Sequence, residues 1–313
     1  MNGQAAREGL IADPAARARL VVAIPAYNEE VGIGSVVLRT REHARDVVVV
    51  DDGSTDDTAR VAELAGARVI RHASNGGYGA ALRTIFRTAR NEGWEALAIL
   101  DSDGQHDPSD LPEVAGPVLA GKADVSIGSR FVEAGSASDV PAYRKLGIKV
   151  LTSLGNVGAR GDARVTDGQS GFRAYSRRAI EAIDPTDDDM GISAEILFQA
   201  RKAGLAFAEV PIRVRYDVDG SSQNPVRHGL GVVRSIARFA EVEHPFLVLG
   251  LPGLALFLLG LLVGASELAG IERGDASALA IALAAAVAFT GFALGLTSLV
   301  LHAFVSATRG RAA

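Results

Sequence analysis

Two rhythms of apolar and polar residues divide the chain. Through the longer N-terminal stretch, short apolar runs closed by polar clusters alternate with segments whose apolar positions recur at helical spacing. RLVVAIP (19–25), DVVVVDD (46–52), ARVIRH (67–72), EALAILD (95–101) and ADVSIGSR (123–130) read as five strands. YGAALRTIFRTARN (78–91) sets Ala81, Leu82, Ile85, Phe86 and Ala89 on one helical face. Another helix is expected near 111–120, one with an acidic start at Asn28, Glu29 and Glu30, and one with a Ser/Thr cap after DDGST. Strands alternating with helices imply an α/β fold, a mostly parallel sheet flanked by helices, with ligands bound beyond the carboxyl ends of the strands.

The second rhythm has no polar beat. Residues 245–266 and 276–301 carry no charge, and each run exceeds the roughly 20 residues that cross a bilayer as a helix. Core helices of that length usually keep a polar face, which these lack. Two transmembrane helices, about 246–266 and 277–305, are expected to form a hairpin. Arg227, Arg234 and Arg238 precede the first and Arg309 and Arg311 follow the second. That bias places both flanks in the cytoplasm, at the cell membrane. Val226, Leu230, Val233, Ala237 and Ala240 give 224–244 the stripe of an amphipathic helix lying at headgroups. The layout expected is a lead-in (1–19), a cytoplasmic catalytic domain (20–223), the juxtamembrane helix (224–244), the hairpin (245–306) and a cytoplasmic tail (307–313).

Composition sharpens this only a little. Of 313 residues 48% are hydrophobic, and the formal net charge is −5, so nothing suggests a nucleic-acid partner. The absence of cysteine excludes disulfides and thiolate chemistry. The first twenty residues lack the apolar core of a secretion signal and read as a loosely helical lead-in.

Candidate chemistry gathers at the strand ends. The first strand runs into Pro25, Ala26, Tyr27, Asn28 and Glu29, the second into Asp51 and Asp52, and the fourth into Asp101, Ser102 and Asp103. Asp101 and Asp103, if extended, point to the same side. Like charges so close repel unless a metal ion, an arginine or water lies between them. NGGYGAAL (75–82) follows the third strand rather than the first, and no GxxxxGK[ST] occurs. Dinucleotide and P-loop folds are therefore excluded.

IPAYNEE, VVVDDGSTDDT, LDSDGQHDP and GSRF, in that order, resemble the family 2 glycosyltransferases with the GT-A fold. DGQSGFRAYSRRA and the hairpin are similar to the branch that makes polyprenyl- or dolichyl-phosphate sugars. The resemblance implies inverting hexosyl transfer from a UDP- or GDP-sugar to polyprenyl or dolichyl phosphate at the bilayer, as in glycan assembly. It implies Mg²⁺ or Mn²⁺ on Asp101, Asp103 and Gln105, with His106 packing beside them. Pro25, Ala26, Tyr27, Asn28, Glu29, Asp51, Asp52, Asn75, Gly76, Gly77 and Ser102 would line the nucleotide-sugar site, Asp51 bracing its loop. Arg130, Ser170 and Arg173 would bind the acceptor phosphate, and Asp167 would serve as base or orienting acid. Glu195 is a site acid or a cap. Arg213 and Arg215, alternating on one strand, would close over the diphosphate with 219–223. A homo-oligomer is compatible with this layout. The competing readings are another acceptor, as in a polysaccharide synthase, and an inactive membrane scaffold. The first lacks its QxxRW tryptophan, since Trp94 lies elsewhere; the second predicts eroded acids.

Overall fold

The computed structural model describes residues 14–132, 152, 165–187, 191–214, 246–271 and 277–310. The chain divides into two compact units, Met1–Gly229 and Leu230–Ala313.

In the first unit, a short helix α1 (Pro14–Arg19) leads into β1 (Leu20–Ala26), α2 (Ile33–Thr40), β2 (Asp46–Asp51), α3 (Thr58–Leu64), β3 (Arg68–Arg71), α4 (Tyr78–Asn91) and β4 (Ala96–Ile99). There follow α5 (Leu111–Leu119), β5 (Val125–Ser129), β6 (Arg173–Ser176), α6 (Arg177–Ala182), α7 (Ile192–Lys202) and β7 (Phe207–Pro211). The sheet order is β3-β2-β1-β4-β6-β5-β7. Every pairing is parallel except those of β6, which runs antiparallel to both β4 and β5. The five expected strands are present; the antiparallel β6 and the edge strand β7 complete the sheet.

Alternation along the strands fills both sides. Leu20, Val22, Ile24, Val47 and Val49 pack with Ile33 and Val37 of α2 and Leu111 and Val114 of α5. Val21, Ala23, Val48 and Val50 pack with Leu82, Ile85 and Phe86 of α4 and with Ile196 of α7. Phe86 meets Tyr175 of β6 edge to face, ring centroids 5.1 Å apart. Burial on both faces explains why these strands are continuous β-branched runs. The strand order reverses direction between β1 and β4, and their carboxyl ends open the crevice where such sheets bind ligands.

The second unit is a helical pair, α8 (Leu251–Ile271) and α9 (Ala278–Gly310), preceded by a π-helical turn Phe246–Gly250. Leu251–Ile271 and Ala278–Val300 are long and apolar enough to cross a membrane. They pack backbone to backbone: a Cβ on Gly253 would stand 2.8 Å from the Gly291 carbonyl, and one on Gly260 2.5 Å from the Ala288 nitrogen. Small residues permit such an approach where lipid offers no hydrophobic drive. Glu267 accepts a hydrogen bond from the Ser277 amide at 3.0 Å, tying the start of α9 to α8. The expected juxtamembrane helix 224–244 and Arg215 lie outside the described residues.

Candidate active site

Loops from β1 and β2 are stitched into one wall of the crevice. Asn28 adopts φ 54°, a left-handed conformation that asparagine tolerates. Its amide donates to Ser54 Oγ at 2.9 Å, and its Oδ1 accepts from the Thr55 amide at 2.9 Å. The Glu29 amide donates to Thr58 Oγ1 at 2.7 Å. The helix expected from Asn28 begins only at Ile33, because the Asn28–Glu30 backbone is spent on these cross-loop bonds. Pro25 and Ala26 are buried within β1, whereas Tyr27 is 41% exposed on the rim.

Asp51 and Asp52 turn inward. Asp51 accepts from the Ser54 amide at 3.1 Å and faces Arg71 Nε at 3.1 Å, so it braces the loop. Asp52 accepts from the Gly76 and Gly77 amides and from His72. The amides of Gly76 and Gly77, expected with Asn75 to line the nucleotide-sugar site, are bonded to Asp52. The Asn75 carboxamide folds back, its Oδ1 accepting from the Gly77 amide at 3.0 Å.

The β4 end supplies the acids. β4 stops at Ile99, so Asp101 and Asp103 meet across a turn rather than by strand alternation, with Gly104 at φ 71°. Asp103 Oδ1 accepts from the Gln105 amide at 2.9 Å. The Ser102 carbonyl lies against Gly32, 3.3 Å from where a Cβ would be, so the turn rests on the β1 loop. Asp101 lies 3.4 Å from Tyr78 OH, which donates to it, and 3.4 Å from His106 Nδ1. A Cβ at Gly171 would stand 2.5 Å from Asp101 Oδ1, so only glycine fits behind this carboxylate. His106 is buried with its ring 5.4 Å from Phe172, and its Nδ1 has no hydrogen-bond partner. Burial holds it neutral, well below the usual histidine range.

Among the described residues, Glu29, Asp101 and Asp103 form no ion pair with arginine or lysine. The strain is electrostatic. Burial, then the charges of Asp103, Asp56 and Asp101, push Glu29 up to about 7. Burial and the Asp101 charge push Asp103 up. Asp101 is raised by burial and drawn back by Arg130, Tyr78 and Arg173.

The β5–β6 side is built differently. Arg130 closes a fork on the fully buried Asp167: Nε to Oδ2 and Nη2 to Oδ1, both 2.7 Å, with the Arg130 amide on Oδ2 at 3.1 Å. Glu209 on β7 accepts from the Thr166 amide at 2.8 Å and the Asp167 amide at 3.0 Å, pinning this loop. The expectation that Arg173 forks a phosphate is corrected. Its guanidinium is buried and donates to the carbonyls of Ser170 (2.8 Å), Gly168 (2.8 Å) and Ser193 (3.3 Å). Ser170 is also buried, its Oγ accepting from the Phe172 amide at 3.3 Å. Arg213 lies beyond the end of β7, exposed, its amide on Asp110 at 3.1 Å. Glu195 accepts from the Thr186 and Asp187 amides at 3.0 and 2.9 Å; it holds a neighbouring loop.

Sequence reasoning gave no role to Tyr78, Gly171, His72 and Glu209 as partners of the site acids. Only SNGGYG and SGF, small residues beside motif positions, hinted at the first two.

The donor set fits a hard divalent cation. Asp101 and Asp103 bring carboxylate oxygens to one turn, and the Asp101 charge raises Asp103, an arrangement that suits a cation with oxygen ligands. Among the described residues no three His, Asp or Glu side chains form a ready metal cage.

Residues 21–184 match the model for "Glycosyl transferase family 2". The chain is 32% identical over 216 residues to the UDP-N-acetylglucosamine–dolichyl-phosphate N-acetylglucosaminyltransferase of Methanococcus voltae, covering 62% of this chain and 84% of that one. It is 35% identical over 207 residues to the polyprenol monophosphomannose synthase of Mycolicibacterium smegmatis, covering 62% and 76%. Among solved structures it is similar to glucosyl-3-phosphoglycerate synthase from Mycobacterium tuberculosis in complex with Mn²⁺, UDP and glucosyl-3-phosphoglycerate. There the TM-score is 0.57 at 25% identity, covering 75% and 83%.

Proposed function

We propose a specific reaction for this chain, which belongs to glycosyl transferase family 2: inverting transfer of a hexosyl group from a UDP- or GDP-sugar to polyprenyl or dolichyl phosphate at a membrane. The observation that carries it is that burial and neighbouring acids raise Glu29 and Asp103 at the ends of β1 and β4, in a chain that also carries two membrane-length helices. The relatives that act on dolichyl and polyprenyl phosphate support the acceptor class.

Asp101 and Asp103, with Gln105, would hold Mg²⁺ or Mn²⁺, which neutralises the diphosphate as it leaves. Tyr27 and Glu29, on the wall that Asp52 braces, hold the nucleoside end. Arg130 presents a guanidinium near Asp101 for the acceptor phosphate, and Asp167 keeps that fork in place. An oxygen of the acceptor phosphate attacks the anomeric carbon as the bond to the diphosphate oxygen breaks. The configuration inverts, and the nucleoside diphosphate departs with the bonding electron pair. The phosphate is already anionic at neutral pH, so the step needs no base, and Asp167 acts as anchor. The hairpin crosses the membrane with both flanks cytoplasmic.

A second acceptor class has one observation behind it: the similar glucosyl-3-phosphoglycerate synthase carries a soluble phosphorylated acceptor product. A transfer assay in detergent with a panel of UDP- and GDP-sugars separates the two. Wild type and Asp103→Ala are compared with Mn²⁺ or EDTA, on decaprenyl phosphate or on phosphoglycerate. A lipid-phosphate sugar that needs metal and Asp103 supports the proposal, and product on phosphoglycerate alone moves it to the second class. No nucleotide binding under any condition sinks both.

A further inference from the structure

Asp52 directly follows β2, and its acceptor capacity is filled from within the protein. Oδ1 accepts from His72 Nδ1 at 2.6 Å and from the Gly76 amide at 3.0 Å. Oδ2 accepts from the Gly77 amide at 2.7 Å and the Gly76 amide at 3.1 Å. An ionised carboxylate offers about four acceptor sites and no donor, so His72 Nδ1 carries the hydrogen. The other ring nitrogen meets Thr84 Oγ1 of α4 at 2.9 Å. One continuous chain therefore joins α4, the end of β3, the end of β2 and the glycine turn that starts α4. Gly77 sits in that turn at φ 93°, a conformation that Asp52 holds by both glycine amides.

We infer that His72 is a positioning residue for the nucleotide, fixing Asp52 and through it the Gly76–Gly77 turn that walls the β1–β2 side of the crevice. The proposal rests on the donor reading given under Proposed function. The acids of the β4 turn mark where the diphosphate and its cation lie. Asp52 itself is buried, its oxygens taken by His72, Gly76 and Gly77, while the β1 rim next to it carries the exposed Tyr27 ring. The neutral, flat nucleoside is the part of the donor that fits it. His72 reaches no reacting atom; it acts by keeping this wall in one shape before the donor arrives.

The test uses the full chain in detergent. Affinity for UDP and GDP with Mn²⁺, donor KM, kcat and Tm are measured for wild type, His72→Ala, His72→Asn and Thr84→Val. His72→Ala is expected to weaken nucleoside diphosphate binding and raise donor KM about tenfold, with kcat within about threefold. His72→Asn should regain most of the affinity, because its amide can donate to Asp52 in place of Nδ1. Affinities and KM unchanged in Ala and Asn alike, with only Tm lowered, would mean a merely structural histidine and overturn the proposal. Should His72→Ala fail to fold, Thr84→Val removes only the hydroxyl on the far side of the ring. A two- to threefold loss of affinity, on the order of one weakened neutral hydrogen bond, then supports the proposal, and no change overturns it. Wild type that binds neither nucleotide defeats the donor reading and takes this proposal with it; binding by wild type with indifferent variants defeats this proposal alone.

Discussion

On one side of the crevice burial and neighbouring acids push Glu29 up to about 7, and among the described residues Glu29, Asp101 and Asp103 form no ion pair with arginine or lysine; Asp101 has His106 Nδ1 at 3.4 Å. On the other, Asp167 is as deeply buried as any core residue, yet Arg130 meets both its oxygens at 2.7 Å and Glu209 pins its loop. The two sides lie at the carboxyl ends of one sheet and use the same residue types. They differ in whether the protein supplies the countercharge. On the proposed reading the β1–β4 side takes its countercharge from a bound cation, whereas Asp167 already has Arg130. An acid buried without a partner is costly unless a ligand compensates it, so unpaired acids mark the place where something binds.

The sharpest break of this comparison is on the unpaired side. Asp103→Ala should leave folding intact and reduce metal-dependent transfer by roughly a thousandfold or more, the scale of losing electrostatic stabilisation of a leaving group. Product formation from a nucleotide sugar, with and without EDTA, checks it. A variant that keeps its metal dependence would show that the β4 turn is not the cation site.

On the paired side the expected loss is of stability. Asp167→Asn removes the charge from the carboxylate that Arg130 forks, and breaking a buried pair by removing one partner costs about 3–5 kcal/mol. Urea melts of the detergent-solubilised protein measure this, with unchanged nucleotide affinity expected in whatever remains folded. A loss below about 1 kcal/mol would mean that the fork is solvated and dispensable.

Gly171 links the two sides, since it lies against Asp101 and next to the buried Ser170. The methyl of Gly171→Ala would enter the space of the Asp101 carboxylate, and overpacking of this kind costs about 1–3 kcal/mol. The readout that locates the damage is metal affinity. It should weaken in step with stability, because the carboxylate is what must move.

Much of this was legible in the sequence, but unevenly. Helix α4 could be read to its ends because Ala81, Leu82, Ile85, Phe86 and Ala89 keep one face. The parallel strands were legible because burial on both faces makes them solidly apolar. Strand β6 was not: it has four residues and opens on Arg173, a charge that only tertiary carbonyls could satisfy. That same residue was read as a phosphate ligand, since a buried arginine bonded to backbone looks in sequence like one kept for chemistry. Acids at strand ends could be seen to cluster, but not which of them would be paired. Pairing depends on partners such as Arg130 and Asp167 that lie 37 positions apart.

The smallest effect distinguishes the two sides most cleanly, because its sign reverses between them. Glu29 has its folded pKa raised to about 7 from an ordinary 4.5. The stabilising contribution of its protonated form is fully present below pH 4.5 and is lost as pH rises through 7. The metal-free protein should therefore lose stability across that window. Mn²⁺ with a nucleoside diphosphate should restore it above pH 7, where the carboxylates are charged and bind cations well. Glu29→Gln keeps the shape and removes the charge. It should raise the metal-free Tm at pH 8 by about 1–3 °C, a fraction of a kcal/mol for a domain of this size, and change nothing at pH 4. Asp167→Asn must lower Tm at pH 8, since its charge is compensated by Arg130. If Glu29→Gln lowered Tm at pH 8 as Asp167→Asn does, Glu29 would have a cationic partner after all, and the two sides would be built alike.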